Sequence, residues 1–250
     1  MFLIAGPCAI ESRDCVMHTA ETLNRLCYKL GITLYFKSSF DKANRTSIHS
    51  FRGPGLERGL QMLGDVKEKY GLRILTDIHE SCQAAPVGEI CDVIQIPAFL
   101  CRQTDLLVAA AQTGRIVNIK KAQFLSGKDM KYPVEKARDA GAKEVWLTER
   151  GNMLGYNNLV VDFRNIPDML EIVPTVIMDC THSVQRPGGS DGKTDGDRRF
   201  VPQMALAAKA FGATGYFFEV HPDPDKGLSD AANMLELNKL EALVNKLIED

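Results

Sequence analysis

The stretch FLIAGPCAIES, residues 2–12, runs apolar from Phe2, breaks at Gly6-Pro7, and then presents Cys8 and Glu11. Proline has no N–H to give a sheet ladder and glycine weakens a strand interior, so the segment reads as a buried strand that stops where the thiol appears. One cysteine at one strand end is most simply a core residue, because free cysteine is among the side chains most often buried. Its meaning depends on what the other strands present at the same place.

The same pattern recurs along the chain. Short β-rich runs alternate with longer amphipathic stretches, and the strand candidates are FLIAGPC (2–8), ITLYFKSSF (32–40), RILTDIH (73–79), VIQIPAF (93–99), RIVNIKKA (115–122), EVWLTERG (144–151), TVIMDCTHS (175–183) and GYFFEVHP (215–222). Helical patterns lie between them. VMHTAETLNRLCYKLG (16–31) and TDLLVAAAQTG (104–114) each end on a glycine suited to a C-cap, and SDAANMLELNKLEALVNKLIED (229–250) opens with a Ser-Asp cap signal.

Eight strand–helix units in 250 residues predict a single-domain (β/α)8 TIM barrel spanning residues 1–250, with the working groups on the loops at the carboxyl ends of the strands. A doubly wound open sheet shares the alternation. No GxGxxG or Walker-type run follows a strand, which favours the barrel. In chain order the strand ends offer Cys8, Lys37 with Ser38 and Ser39, Asp77 with His79, Gln95, Lys120, Glu149 with Arg150, Asp179 with His182, and Glu219 with His221.

Composition excludes several functions. An apolar fraction of 45%, a charged fraction of 25% and a net charge of −2 give no global attraction to nucleic acid or anionic membrane. No apolar run reaches the roughly 18 residues of a membrane span, and the opening lacks a basic leader, so a cytoplasmic protein is expected. The seven cysteines form no CxxC pair and suggest reduced core residues rather than a disulfide framework.

Two constellations carry chemistry. Lys37, Lys42, Arg45, Lys120 and Arg150 fall at the expected mouth, where grouped cations suit phosphate or carboxylate. Singly, any of them is most often a solvated charge, but Lys120 and Arg150 end apolar strands. Cys8, His182, Glu219 and Asp230 come from the ends of the first, seventh and eighth strands and the loop beyond, and barrel closure makes them neighbours. One sulfur, one imidazole and two carboxylates suit a divalent transition ion such as Fe(II), Zn(II) or Mn(II). Taken alone, Cys8 reads as packing and Asp230 as a helix cap; only the set argues for a metal. Two Gly-rich stretches, FRGPGLERG (51–59) and RPGGSDGKTDGDRR (186–199), read as solvent loops or as lids over the mouth.

Over essentially its whole length the chain resembles the 3-deoxy-D-manno-octulosonate 8-phosphate (KDO 8-phosphate) synthase family. The matching stretches include AGPCAIES, FKSSFDKANRTSIHSFRGPG, TDIHE, QIPAFLCRQTDLL, NIKKAQF, LTERG, GYNNLVVDFR, DCTHSVQ and EVHPDPDKGLSD. The resemblance implies condensation of phosphoenolpyruvate with D-arabinose 5-phosphate and water, releasing phosphate, in a homotetramer that serves lipopolysaccharide synthesis. The related seven-carbon synthase uses erythrose 4-phosphate and typically carries Lys-Pro-Arg-Thr-Ser after the second strand; KANRTS (42–47) leans towards the five-carbon acceptor. A phosphosugar-binding barrel without catalysis is the reading from another class, and it has no use for the metal set.

Within that family cysteine at the position of Cys8 marks the metal-dependent branch and asparagine the metal-independent one. The resemblance makes Cys8, His182, Glu219 and Asp230 the ligands of one divalent ion per subunit, and leaves open whether it orients the aldehyde or activates water. It gives catalytic roles to Lys42, Asp77, Lys120 and His182. It places Lys37, Ser39, Gln95 and Arg150 on substrate, sets Asn44, Arg45 and Thr46 against the sugar phosphate, and has Arg102 reach in from a neighbouring subunit. QFLSGKDMKYP (123–133) lacks the Ala-Pro-Trp frequent in the family, and QRPGGSDGKTDG (185–196) varies around its Gly-Gly. The start directly on the first strand, without a leading hairpin, fits the metal-dependent branch.

Overall fold

Each apolar run becomes a strand that ends where its polar residues begin. The computed structural model describes residues 1–45, 47–190 and 193–249. Its barrel strands are β1 (Phe2–Gly6), β2 (Thr33–Lys37), β3 (Arg73–Asp77), β4 (Val93–Ile96), β5 (Ile116–Lys120), β6 (Val145–Glu149), β7 (Val176–Asp179) and β8 (Gly215–His221). Every neighbouring pair is parallel, and β8 pairs with β1 from Phe2↔Gly215 to Gly6↔Glu219, which closes the sheet. The doubly wound alternative is thereby excluded. These strands carry apolar side chains on both faces because a closed parallel sheet has helices outside and packed side chains inside.

The outer layer is α1 (Arg13–Leu30), α2 (Leu56–Tyr70), α3 (Ala84–Ile90), α4 (Thr104–Gln112), α5 (Lys131–Asp139), α6 (Asn165–Leu170), α7 (Val201–Ala210) and α8 (Leu240–Ile248). Helix α1 starts where Ser12 accepts from the Cys15 amide, and it stops at Gly31, whose φ of 65° lets its N–H reach the Cys27 and Tyr28 carbonyls. Inside the barrel Ile4, Tyr35, Leu75, Val93, Trp146, Ile177 and Phe217 form one cluster. Phe2 packs on it at the amino ends of the strands, 5.5 Å from the Tyr35 ring and 5.0 Å from Trp146. A Cβ on Gly215 would lie 2.6 Å from that phenyl ring, so only glycine fits beside it. The mouth therefore opens at the carboxyl ends alone.

Three expectations are corrected. The last helix covers Leu240–Ile248 only; Ser229 and Asp230 belong to a loop, and residues Leu235–Glu236 add a short parallel strand beside β8. The cap signal fails because Asp230 takes φ 47° and its side chain is drawn to the mouth. FRGPGLERG is not wholly loop: Leu56 starts α2, and Gly59 packs so closely on Phe40 that a Cβ would approach its Cβ to 2.3 Å. The second Gly-rich stretch forms an antiparallel ribbon of Gln185–Ser190 and Lys193–Gly196 at the mouth. The seven cysteines are all free thiols, five of them buried. Among the described residues no helix is long and apolar enough to cross a membrane.

Candidate active site

Alternation along β1 to β8 aims one residue in two at the barrel axis, and inward polar residues gather at the carboxyl ends of β2 to β8, while β1 ends on Gly6 with Cys8 two residues beyond. Together with the loops beyond, they line a cavity of about 690 Å³. Lys37, Lys42, Asn44, Arg45, Asp77, Gln95, Lys120, Arg150, His182 and Asp230 all lie on its wall. Thr46 lies outside the described residues.

The Phe217 ring lies beneath two of the cations. Lys120 Nζ stands 4.1 Å from its centroid and Lys37 Nζ 5.5 Å, a cation–π arrangement in a buried setting. Above it the cations are held by carboxylates. Lys37 Nζ donates to Glu219 Oε1 and to the Cys8 carbonyl, both at 3.2 Å, while Lys42 Nζ lies 3.6 Å from the same carboxylate. Lys120 donates to Asp179 Oδ2 at 2.6 Å. Burial lowers the Lys120 pKa against the pull of Asp179. Burial pulls Lys42 down too, but the carboxylates of Glu219, Asp77 and Asp230 keep that ammonium charged.

Arg150 carries the clearest anion-binding geometry. Its Nη2 donates to Gln185 Oε1 at 2.7 Å, and its buried Nη1 has no partner among the described residues. A fixed guanidinium with an open prong is suited to a carboxylate or phosphate oxygen. Gln95 is oriented by a relay of buried side chains: Thr148 Oγ1 donates to Asn118 Oδ1 at 2.8 Å, and Asn118 Nδ2 donates to Gln95 Oε1 at 3.3 Å. This polarity leaves the Gln95 amide NH2 for the cavity.

The metal candidates converge at β1, β7 and β8. Donor atoms of Cys8, Glu219 and Asp230 lie within 4.8 Å of one another. His182 Nε2 reaches Glu219 Oε1 at 3.7 Å and Asp230 Oδ2 at 3.6 Å. The Gly6-Pro7 break makes this possible, for a Cβ on Gly6 would sit 2.0 Å from the Lys37 carbonyl oxygen. Only glycine lets the two strand ends pinch together and bring Cys8 over the axis. Asp179 accepts from His182 Nδ1 at 2.7 Å, so that loss of the Nε2 proton, as binding of an ion would require, leaves an Nε2 lone pair facing the cluster. The set fits a divalent ion on a second count: Glu219 Oε2 is buried without a hydrogen-bond partner among the described residues. Burial, then Asp230 and Glu219, push the Cys8 thiol far up, whereas His182 and the two lysines outweigh burial and bring Glu219 down to about 2.

Asp77 is the acidic group across the mouth. Ser39 donates to its Oδ1 at 2.5 Å and His79 Nε2 lies 3.3 Å from its Oδ2. The Ser39 hydroxyl is thus spent on Asp77 and is not on the cavity wall. Burial raises the Asp77 pKa, but Lys37, His79 and Lys42 together hold it well below the usual carboxylate range.

Some strand-end residues turn elsewhere. Glu149 accepts from the Arg150 and Gly151 amides at 2.9 and 2.6 Å and pairs with Lys121 at 3.4 Å, outside the barrel wall. His221 lies 3.5 Å from Glu11 and 3.4 Å from Cys15 near the start of α1. Arg102 is exposed and stays off the cavity wall of its own chain. Conversely, Ser229, Gln185, Asn118 and Phe217 belong to the site without having been singled out. Phe217 and Asn118 share inward parity with Glu219 and Lys120, a signal available in the alternation; Gln185 carries no local signal.

The "DAHP synthetase I family" model matches residues 1–250. Three similar curated proteins are each named 2-dehydro-3-deoxyphosphooctonate aldolase. That of Nitratidesulfovibrio vulgaris is 56% identical over 246 residues, covering 98% of this chain and 90% of its own length. That of a Synechococcus species is 56% identical, covering 98% and 87%. That of Campylobacter jejuni is 55% identical, covering 100% and 96%.

Proposed function

The chain belongs to the DAHP synthetase I family, and from that premise we propose that it is a KDO 8-phosphate synthase, joining phosphoenolpyruvate to D-arabinose 5-phosphate. The family description names the seven-carbon synthase, but the individual relatives at 55–56% identity carry the eight-carbon name. A bond forms between C3 of phosphoenolpyruvate and the aldehyde carbon, water adds at C2, and the phosphohemiketal loses phosphate by C–O cleavage. The aldehyde oxygen gains one proton and the added water gives one up, so the sequence needs no outside acid or base.

The observation that carries this reading is the set of buried cations around one cavity, with the open prong of Arg150 among them. Lys37, Lys42, Gln95, Lys120 and Arg150 neutralise and orient phosphoenolpyruvate. The carboxylates already pairing with the lysines keep them in place before substrate arrives, which is electrostatic preorganisation. Lys120, whose pKa burial lowers, is the ammonium best suited to hand a proton to the aldehyde oxygen. Asp77 holds His79 in register and balances the charge of Lys37 and Lys42. Asn44, Arg45 and Thr46 take the sugar phosphate.

Cys8, His182, Glu219 and Asp230 hold one divalent ion, which supplies Lewis-acid polarisation or a more acidic water when bound. Asp179 keeps His182 in the tautomer that ligates. The catalytically silent phosphosugar-binding barrel leaves this donor set unexplained. A cytoplasmic homotetramer in which Arg102 completes a neighbour's site accounts for that arginine's exposure.

The test is phosphate release from phosphoenolpyruvate with arabinose 5-phosphate beside erythrose 4-phosphate, before and after chelation. Release with the pentose phosphate that chelator abolishes and divalent ion restores is the expected result. Release only with erythrose 4-phosphate assigns the seven-carbon reaction, and release with neither leaves the binding barrel.

A further inference from the structure

Ser229 sits between the donor cluster and the polar loop after β2 and touches both. Its hydroxyl is 2.8 Å from the Cys8 sulfur, and Arg45 Nη2 donates to the same oxygen. Arg45 also reaches Asp230 Oδ1 at 3.7 Å. Ser229 is 3% exposed and Cys8 fully buried, so water does not compete for this contact.

The backbone is built to put it there. Leu228 N–H donates to Glu11 Oε1 at 2.8 Å, anchoring the loop to the segment that follows Cys8. A Cβ on Gly227 would lie 2.3 Å from the Met234 methyl carbon, so the loop runs flush against that side chain. Asp230 then adopts φ 47°, uncommon for a residue with a side chain. In an extended chain successive side chains diverge; the left-handed turn lets Ser229 and Asp230 face the same cluster. The Asn233 and Met234 amides donate to the Asp230 carbonyl at 2.9 and 3.2 Å and secure the turn.

We propose that Ser229 is a positioning residue that ties the metal thiolate to the sugar-phosphate cation. The guanidinium of Arg45 occupies a lone pair on the Ser229 oxygen, which turns the hydroxyl hydrogen onto the Cys8 sulfur. One side chain thereby sets both the charge on the thiolate and the direction of Arg45. The inference rests on the reading of Cys8 as a ligand and of Arg45 as a sugar-phosphate residue.

The test uses the full chain loaded with Co2+, whose sulfur-to-metal charge-transfer band reports the thiolate directly. Without the hydroxyl hydrogen the sulfur donates more strongly, so Ser229→Ala shifts the band to longer wavelength. The same variant raises KM for arabinose 5-phosphate about tenfold, the loss expected for one hydrogen bond to a charged group, with KM for phosphoenolpyruvate unchanged. Ser229→Thr, which keeps the hydroxyl, restores both. Arg45→Met raises the same KM, and its effect and that of Ser229→Ala combine to less than their product. An unshifted band with an unchanged KM in Ser229→Ala overturns the inference while leaving the four ligands standing. Wild-type protein that shows no charge-transfer band with Co2+ removes Cys8 as a ligand and this inference with it.

Discussion

Asp179 Oδ2 lies 2.7 Å from His182 Nδ1, and the same oxygen takes the Lys120 ammonium at 2.6 Å. One buried carboxylate at the end of β7 therefore orients a candidate metal ligand and a candidate substrate cation together. Burial raises its pKa, yet His182 and Lys120 outweigh that and hold it far below the usual range. Asp179→Asn keeps the shape and removes the charge. Divalent-ion affinity, measured by competition with a chromophoric chelator, is expected to fall about 10–100-fold, the usual loss when a ligand's orienting partner is removed. Unchanged affinity would show that His182 needs no carboxylate behind it.

Cys8 makes a sharper case. Cys8→Ser exchanges the soft sulfur for a weakly coordinating hydroxyl, so metal content by elemental analysis should drop well below one ion per chain, and turnover with it. Near-normal values in that variant would sink the ligand assignment. Cys8→Asn is expected to keep part of its activity without added metal, since the resemblance places asparagine there in the metal-independent branch. Complete inactivity would mean that other residues separate the branches.

The open prong of Arg150 gives a prediction on geometry rather than charge. Arg150→Lys retains the cation but loses the fork that Gln185 aligns, and KM for phosphoenolpyruvate should rise about tenfold, with a larger rise in Arg150→Ala. An Arg150→Lys enzyme with wild-type KM would place the anion elsewhere in the cavity.

Acid stability should report Asp77. Its folded pKa is depressed well below the ordinary value of 3.8, so the native state binds fewer protons than the unfolded chain at low pH. The contribution is fully present above that ordinary value and is lost as the pH falls below it towards the folded pKa. In denaturant titrations of metal-free protein from pH 7 to pH 2, wild type should lose stability below about pH 4. Asp77→Asn should start less stable at pH 7 and show a shallower acid limb. Parallel curves would mean that Asp77 is not among the carboxylates whose protonation unfolds the protein.

Much of this site was legible before any coordinates. A buried parallel strand needs apolar residues on both faces, so its polar residues collect at the carboxyl end, and Cys8, Lys37, Asp77, Gln95, Lys120, Arg150, His182 and Glu219 could be read off in order. The less legible part concerns direction. Glu149 and Arg150 are adjacent and cannot both face the axis; period-two alternation sends Arg150 inward and Glu149 to Lys121. His221 lies past the last ladder residue shared with β1, and its ring goes to Glu11 and Cys15.

By itself the sequence determined the eight-strand alternation, the barrel it implies and the identity of the groups at its mouth, because those follow from local periodicity and from where each apolar run stops. Only the tertiary structure decided that Ser229 and Asp230 leave a helix start to face Cys8, that Asn118 and Thr148 turn the Gln95 amide, and that Gln185 holds Arg150. Those choices depend on close approaches between segments far apart in the chain, such as Gly6 against the Lys37 carbonyl and the Leu228 amide on Glu11. No local propensity encodes such contacts; they exist only once the barrel has closed.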